Sequence, residues 1–181
     1  MLKNKKIGFI GGGNMAEAII KGLVSSRDAK NIFVSEPSKS KCNLLQKEYK
    51  IKIALDNHDL AKKCDVLIFA VKPQILKDVV AGVRSEVTSD KLVLSVAAGV
   101  SIASIDGALC GRENKKFKVI RTMPNTPSLV QEGMTAIASG RHVSKEDRKI
   151  AHQVFEAVGQ TVDVNEDQID AVTGLSGSGP A

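Results

Sequence analysis

The sequence has few aromatic residues and few cysteines, and these shortages exclude several classes of protein. Tryptophan is absent, aromatic residues make up 3% of the 181 residues, and the three cysteines stand far apart at Cys42, Cys64 and Cys110. An odd number of cysteines without a Cys-x-x-Cys pair indicates neither a disulfide framework nor a zinc site. We therefore expect no bound metal, and the cysteine pattern is typical of a protein in a reducing cytosol.

A long apolar run is also missing. No stretch reaches the roughly 18 residues that span a bilayer, and the basic segment 1–6 leads into only a short apolar stretch without a cleavage-site pattern. We expect a soluble, cytoplasmic protein with no membrane partner. The net charge of +6 suits an anionic ligand. The lysines are spread along the chain and stacking aromatics are scarce, so nucleic acid is not an expected partner.

What the sequence does contain is an alternation of short apolar runs rich in β-formers with longer segments of helical periodicity. Strands that are apolar along their whole length are typical of a parallel sheet covered on both faces. The sequence therefore predicts an α/β fold with a Rossmann-type, doubly wound, mostly parallel sheet, helices on both faces and extra strands at its C-terminal edge. The predicted strands are 6–10, 32–35, 52–54, 66–71, 92–96, 118–123, 134–138 and 160–164. The predicted helices are 14–25, 40–49, one from about 57, 74–83, 101–109, one capped by Ser144 and Asp147, and 167–175.

A glycine-rich turn lies between the first predicted strand and the first predicted helix. Gly11, Gly13 and Ala16 form a G-x-G-x-x-A pattern. In this pattern the first glycine permits a tight turn, the second lets the backbone approach a pyrophosphate, and the alanine lets helix and strand pack closely. The N-terminus of the helix offers N–H groups and a partial positive charge to phosphates. This context predicts a dinucleotide-binding site.

The end of the second strand bears on the choice of dinucleotide. Glu36 lies about 20 residues after Ala16, where an acid accepts hydrogen bonds from the adenosine ribose, and this position favours NAD over NADP. Ser38, Lys39 and Lys41 follow at once and would bind a 2′-phosphate if Glu36 turned to solvent. A plain solvated loop and helix start is the alternative for all four residues.

Five blocks of sequence follow one another along the chain. They are IGFIGGGNMA at 7–16, AVKP at 70–73, SVAAGV at 95–100, RTMPNTP at 121–127 and DAVTGLSGSGPA at 170–181. With these blocks in this order, the chain resembles pyrroline-5-carboxylate reductase, the last enzyme of proline biosynthesis, over its whole length. The resemblance implies an oxidoreductase that transfers hydride from NAD(P)H to the C=N of 1-pyrroline-5-carboxylate to give L-proline.

The resemblance carries further expectations about cofactor and domains. It favours NADPH, with NADH as the alternative that Glu36 supports. It implies that residues 1–165 bind the dinucleotide and that residues 166–181 begin a helical dimerisation and substrate domain whose remainder this chain lacks. This chain alone is therefore expected to be a poorly active reductase. The expected partner is a small-molecule substrate, and a homo-oligomer is expected only with that domain present. A frayed tail is the plainer interpretation of residues 176–181.

The candidate site combines the resemblance with the rule that ligands of parallel α/β sheets collect at the carboxyl ends of strands. Small residues at 97–99 leave room for a nicotinamide ring, and the N–H groups of residues 176–179 would form a nest for the substrate carboxylate. By resemblance Asn57 contacts the adenosine side of the cofactor, and a plain N-cap is an equally good interpretation. Residues 123–127 would orient the nicotinamide and the substrate, with a simple turn as the alternative. The candidate cofactor residues are Gly11, Gly12, Gly13, Asn14, Met15, Ser35, Glu36, Asn57, Ala70, Val71, Lys72, Pro73, Ala97, Ala98, Gly99 and Asn125. The candidate substrate residues are Thr126, Ser176, Gly177, Ser178 and Gly179, and no catalytic side chain is assigned.

Two other functions stay open on the sequence alone. A hydroxyacid dehydrogenase of related fold would need a Lys or His base, and none of the three histidines, His58, His142 and His152, lies near a strand end. A non-catalytic dinucleotide-sensing module is the second alternative. A reductase of a protonated imine is compatible with the missing base, because it mainly needs to align two molecules and deliver one proton.

Overall fold

The computed structural model describes residues 2–26, 29–111 and 115–177, and over these residues it contains one sheet of eight strands. The strands are β1 (Ile7–Ile10), β2 (Ile32–Ser35), β3 (Lys52–Ile53), β4 (Val66–Phe69), β5 (Leu92–Ser95), β6 (Lys118–Pro124), β7 (Gly133–Ser139) and β8 (Gly159–Asp163). The helices are α1 (Asn14–Ser26), α2 (Lys39–Tyr49), α3 (Asn57–Lys63), α4 (Pro73–Gly82), α5 (Ile102–Cys110), α6 (Lys145–Phe155) and α7 (Ile169–Val172).

The strand order confirms the predicted fold class. The strands lie side by side as β3-β2-β1-β4-β5-β6-β7-β8. Strands β1 to β6 are parallel, β7 is antiparallel to β6, and β8 is parallel to β7. The chain therefore reverses once, at the predicted extra strands. The order of the parallel part changes direction between β1 and β4, and a crevice at such a switch point is where ligands of this fold bind.

Two apolar clusters, one on each face, hold the helices to the sheet. On one face, α1, α2 and α6 pack side chains such as Ile19, Leu45 and Val154 against the strands. On the other face, α3, α4 and α5 contribute side chains such as Leu60 and Leu76. Strands β1, β2, β4 and β5 are buried at every position. This double cover is the reason that these strands are continuous apolar runs in the sequence.

Side-chain caps set where several helices begin. Ser101 accepts a hydrogen bond from the Ser104 N–H at the start of α5, and Ser144 forms a reciprocal capping box with Asp147 at the start of α6. Both caps were predicted from the sequence. At α3 the interpretation of Asn57 as an N-cap is wrong, because Asp56 occupies that position and accepts from the backbone of the third helical residue.

The segment after β8 packs more closely on the sheet than its sequence suggests. The single helix predicted over 167–175 is divided into a 3-10 turn at Glu166–Gln168, α7, and one π-helical turn at Thr173–Gly177. Ile169 is completely buried, against Ala136 and Ala138 of β7. Within the described ranges, no helix is long and apolar enough to cross a membrane.

Candidate dinucleotide-binding site

Backbone hydrogen bonds draw three strand ends together at the glycine-rich turn. The Gly11 N–H donates to the Ser35 carbonyl at the end of β2 over 2.9 Å. The Ala70 N–H, just beyond β4, donates to the Ile10 carbonyl at the end of β1, also over 2.9 Å. The turn therefore continues the sheet ladder on both sides, and its position relative to α1 is fixed.

The two outer glycines of the turn occupy different surroundings. Gly11 has φ of +98°, and a Cβ built there would lie 2.6 Å from the Ala70 carbonyl oxygen. A Cβ built on Gly13 would meet no atom within 4 Å. Gly11 is therefore required by the turn itself, whereas the missing side chain of Gly13 leaves open space beside the first turn of α1. The first N–H groups of a helix have no acceptor within the helix and can donate to a ligand. The open space beside them therefore fits a phosphate group.

Glu36 faces the turn and not the solvent. Its Oε2 accepts a hydrogen bond from the Gly12 N–H over 2.9 Å, and its Oε1 accepts from the Ser38 N–H over 3.0 Å. The interpretation in which Glu36 turns away to solvent does not hold. With both carboxylate oxygens engaged by the backbone, the acid is held at the end of β2 where a ribose hydroxyl can reach it.

Of the two candidate lysines, Lys41 is in an ion pair and Lys39 is exposed. Lys41 forms an ion pair with Glu17 of α1, with 2.5 Å between Nζ and Oε2. The Tyr49 hydroxyl donates to the same carboxylate over 3.1 Å, and burial together with this acceptor raises the pKa of Tyr49. Lys41 thus joins α2 to α1, while Lys39 is exposed at the start of α2.

A cleft of about 550 Å³ opens beside these strand ends. One wall is apolar and the other carries polar groups, among which the Ser35 hydroxyl donates to Asn57 Oδ1 over 2.6 Å. The structure brings eight of the predicted cofactor residues to this cleft: Gly11, Gly13, Ser35, Glu36, Asn57, Ala70, Val71 and Lys72.

The apolar wall was missed by sequence reasoning. Leu55 is 92% exposed in the loop before α3, and Ile75 is 48% exposed on α4. Together with Val71 and Val79 they line the cleft, and such a slot suits the flat face of an adenine ring. The sequence does contain a signal for the part of this wall on α4. Ile75 and Val79 are apolar and spaced i,i+4, directly beside the buried pair Leu76 and Val80. The other lining residues that were not predicted are Ile10, Pro37 and Asp56.

The predicted nicotinamide neighbours lie outside this cleft, at the end of β5. Ser95 pairs in register with Phe69 of β4, and the Thr122 hydroxyl of β6 donates to the Ser95 carbonyl over 2.9 Å. Beyond it, Gly99 turns the chain with φ of +69°. Residues 97–99 therefore follow β5 at the same carboxyl edge of the sheet. Gly12, Asn14, Met15 and Pro73, also predicted, flank the cleft on the glycine turn and the starts of α1 and α4 without lining it.

The predicted substrate residues meet at the end of β6. Asn125 Nδ2 donates to the Ser176 hydroxyl over 3.0 Å, and Asn125 Oδ1 accepts from the Met134 N–H over 2.9 Å. Thr126 opens the next 3-10 turn, and Gly177 ends the π-helical turn. Two residues far apart in sequence are thereby joined at one point of the edge. Ser178 and Gly179 lie outside the described residues.

A second cleft, of about 390 Å³, lies beside α6 and β8. Arg148, Asp163 and Glu166 are among its lining residues. None of the predicted cofactor or substrate residues contributes to it. The strand-end cleft is therefore the one that combines the phosphate-binding turn with the predicted residues.

Residues 6–99 match the family described as NADP oxidoreductase, coenzyme F420-dependent. The chain belongs to this family. The matched range runs from β1 to the turn after β5 and so contains the whole strand-end cleft. This match supports a nicotinamide dinucleotide as the cofactor, and the open space beside Gly13 makes the cleft the candidate place for it.

Comparison with individual proteins extends the similarity to almost the whole chain. The chain is 41% identical over 182 aligned residues to a pyrroline-5-carboxylate reductase of Methanosarcina acetivorans, an alignment covering 99% of this chain and 66% of that protein. A solved pyrroline-5-carboxylate reductase of Coxiella burnetii superposes with a TM-score of 0.91 at 35% identity, covering 98% of this chain and 66% of the other. The Plasmodium falciparum enzyme, solved with NADP bound, gives a TM-score of 0.85 at 30% identity, with 98% and 64% covered. The predicted resemblance is confirmed, and the chain spans about two thirds of the length of these relatives.

Proposed function

We propose that this chain forms the dinucleotide-binding part of a pyrroline-5-carboxylate reductase, which reduces the C=N bond of 1-pyrroline-5-carboxylate to give L-proline. The observation that carries the proposal is the gathering of all five family blocks along one sheet edge, from the glycine turn to the Asn125–Ser176 hydrogen bond. The similarity to reductases over nearly the whole chain supports it. Within this proposal residues 1–165 bind the dinucleotide and residues 166–181 belong to the substrate part.

The chain's own residues would bind and orient the cofactor. The N–H groups at the start of α1 beside Gly13 would bind the pyrophosphate, and the apolar wall of Leu55 and Ile75 would hold the adenine. The strand-end segment 97–99 would place the nicotinamide ring. When bound, the reduced nicotinamide supplies the hydride for the imine carbon.

At the substrate end the protein needs to fix a carboxylate-bearing ring near the nicotinamide and to keep it there. Asn125 is held by bonds to Ser176 and Met134, so its amide cannot rotate freely. Thr126 and Gly177 lie next to this pair in the chain and add a hydroxyl and an N–H group. Such pre-set polar groups lower the barrier by holding two reactants in one geometry.

We further propose that NADPH is the preferred cofactor, with NADH as the alternative. Lys39 is the exposed cation next to Glu36, whereas Lys41 is already paired with Glu17. A 2′-phosphate near Lys39 and the Ser38 hydroxyl would gain a charge-assisted contact. The carboxylate of Glu36 opposes this preference, but its charge is partly offset by two backbone donors.

The decisive experiment is titration of NADPH into the chain by calorimetry, with Gly13→Val as the test variant. The valine side chain would enter the open space beside Gly13 and should weaken binding at least tenfold, since each lost charge-assisted bond costs about 1.5–3 kcal/mol. Gly107→Val is a matched control, because Gly107 lies on the exposed side of α5 and a Cβ there also meets nothing within 4 Å. Equal affinity of Gly13→Val and the parent would reject the site.

The activity itself needs a separate assay. Oxidation of NADPH with pyrroline-5-carboxylate, and formation of proline, would be followed in parallel with the same assay on a small 2-hydroxy or 2-keto acid. Reduction of pyrroline-5-carboxylate without turnover of the hydroxy or keto acid supports the proposal. Turnover of the hydroxyacid pair supports a dehydrogenase. Because the chain spans about two thirds of the length of the reductases it matches, the assay is repeated on the chain extended by the remaining third of such a reductase. Tight NADPH binding without turnover of either substrate in that form supports a dinucleotide sensor.

A further inference from the structure

Arg121 is a buried cation in the middle of the sheet. It lies on β6, in register with Ser95 on one side and Ala138 on the other, and is 3% exposed. A guanidinium keeps its charge under all ordinary conditions, so a buried arginine needs acceptors. Both carboxylates that approach it come from the segment after β8.

These three side chains form what we call the Arg121 cluster: Arg121, Glu166 and Asp170. Arg121 Nη2 donates to Asp170 Oδ1 over 2.6 Å, and Nη1 lies 3.8 Å from Glu166 Oε1. The guanidinium of arginine presents its N–H groups in a rigid planar fork, so one side chain can hold two carboxylates in fixed directions. The cluster therefore holds two successive turns of the segment against β6.

Glu166 connects the cluster to a second element. The same Oε1 accepts a hydrogen bond from the Ile102 N–H, over 2.6 Å, at the first residue of α5. That helix begins directly after the segment 97–99, the candidate nicotinamide neighbour. One carboxylate oxygen thus joins the start of α5 to the segment that carries Ser176.

The far end of the segment reaches the candidate substrate site. Ile169 is fully buried, and the Thr173 hydroxyl donates to the Ile169 carbonyl over 2.7 Å, which stiffens the turn between α7 and Ser176. Ser176 then accepts from Asn125. Arg121 lies on β6 and Asn125 directly follows that strand, so the segment is attached at two points, one on β6 and one just beyond its end.

Stability alone does not explain a charge at this place. Arg121 Nε is buried and has no hydrogen-bond partner among the described residues. The Asp170 side chain is 75% exposed and that of Glu166 is 36% exposed, so solvent screens both pairs and they contribute little to stability, while the unpaired Nε donor is unfavourable.

We propose that Arg121 is a positioning residue: through Glu166 and Asp170 it holds residues 166–177 so that Ser176 lies on Asn125 at the substrate end of the site. The proposal rests on the proposed function for the identity of that substrate end. Arg121 does not line the strand-end cleft, so its replacement should leave binding of the adenosine half of the cofactor unchanged.

The test compares Arg121→Met, Arg121→Lys and Asp170→Asn with the parent chain by hydrogen exchange. In Arg121→Met, the amide hydrogens of residues 166–177 should exchange at least roughly 10-fold faster. The reason is that few contacts hold this segment closed, and the variant removes the Arg121 contacts. Arg121→Lys and Asp170→Asn, which keep part of the contact, should give smaller increases. Lys118→Met is the matched control, because Lys118 lies on the same strand and also faces an aspartate outside the segment, with 3.2 Å between Nζ and Asp147 Oδ1.

Binding and turnover give two further readouts on the same variants. Affinity for 2′-phospho-ADP-ribose, which lacks the nicotinamide, should stay within about twofold of the parent. The KM for pyrroline-5-carboxylate should rise roughly 10- to 100-fold in Arg121→Met while the KM for NADPH changes little, because the misplaced groups lie at the substrate end.

Three results would overturn the inference. One is unchanged exchange of residues 166–177 in Arg121→Met; another is faster exchange across the entire sheet, which would make Arg121 a purely structural residue. The third is an equal change in both KM values. If the chain extended by the remaining third of a matching reductase does not reduce the imine, the proposed function fails, while the exchange measurement still decides whether Arg121 positions the segment.

Discussion

Replacing Gly11 and Gly13 separately by alanine should separate folding from cofactor binding within one motif. A Cβ on Gly11 would lie 2.6 Å from the Ala70 carbonyl oxygen, and its φ of +98° is unfavourable for an L-residue. Ala70 cannot move away easily, because its N–H donates to the Ile10 carbonyl in the β1–β4 ladder. Backbone strain and overpacking together should lower the free energy of unfolding of Gly11→Ala by about 2–4 kcal/mol.

Gly13→Ala should behave in the opposite way. Its new methyl group meets nothing within 4 Å, so the free energy of unfolding should stay the same or rise by up to about 1 kcal/mol through the less flexible unfolded chain. The methyl group nevertheless stands where the pyrophosphate must approach the helix. Affinity for NADPH should therefore fall at least about tenfold, the equivalent of one lost charge-assisted hydrogen bond.

Urea unfolding of the cofactor-free chain and calorimetric titration of NADPH measure the two quantities independently. The reasoning is refuted if Gly13→Ala loses as much stability as Gly11→Ala. It is equally refuted if Gly13→Ala binds NADPH as tightly as the parent, because the open space would then have no part in recognition.

Three further predictions concern charge and burial. Glu36→Ser should shift the ratio of NADPH to NADH affinity toward NADPH by about tenfold, since it removes a carboxylate that would face the 2′-phosphate; tightened NADH binding in titration would contradict this. Asp147→Asn should lower the free energy of unfolding by about 1 kcal/mol at neutral pH. Burial of Asp147 opposes its charge, but hydrogen bonds from Ser144 and Lys118 outweigh this effect and lower the pKa of Asp147. The stabilisation is therefore present above the unfolded-state pKa of about 3.9 and is lost as the pH falls through the folded-state pKa. The urea midpoints of parent and variant should accordingly converge in acid. Burial raises the pKa of the Cys64 thiol to about 12, so an alkylating reagent should label Cys64 only after unfolding, as mass spectrometry of native and denatured samples would reveal.

The sequence allowed the strand positions and the phosphate-binding turn to be predicted because both depend on local pattern. Continuous apolar runs, the G-x-G-x-x-A turn and the caps at Ser101 and Ser144 all lie within short windows of sequence. Asn57 illustrates the limit of such reasoning. Asp56 and Asn57 are both good capping residues, and only the approach of Ser35 from the neighbouring strand determines which side chain caps the helix and which one lines the cleft.

Other features depend on contacts that no local pattern contains. The exposed leucine at position 55 has no periodic signal, yet it forms a wall of the cleft because α4 lies opposite. The burial of Ile169 on the two small alanines of β7 is another such contact. The partners of Arg121 were equally unpredictable, because they lie 45 and 49 residues further along the chain.

The reversal of direction at β7 has a consequence for the order in which the molecule assembles. The Asn125–Ser176 contact joins residues 51 positions apart, and β7, α6 and β8 lie between them. The segment that carries Ser176 follows β8, so this contact can form only after β6, β7 and β8 have paired, and such non-local pairing is slow. The glycine turn also joins distant residues, Ile10 and Ala70, but it needs only β1, β2 and β4. We therefore expect the dinucleotide cleft to form early in folding and the substrate end to form last. The same order would let the last segment open and close again while the cofactor half stays folded.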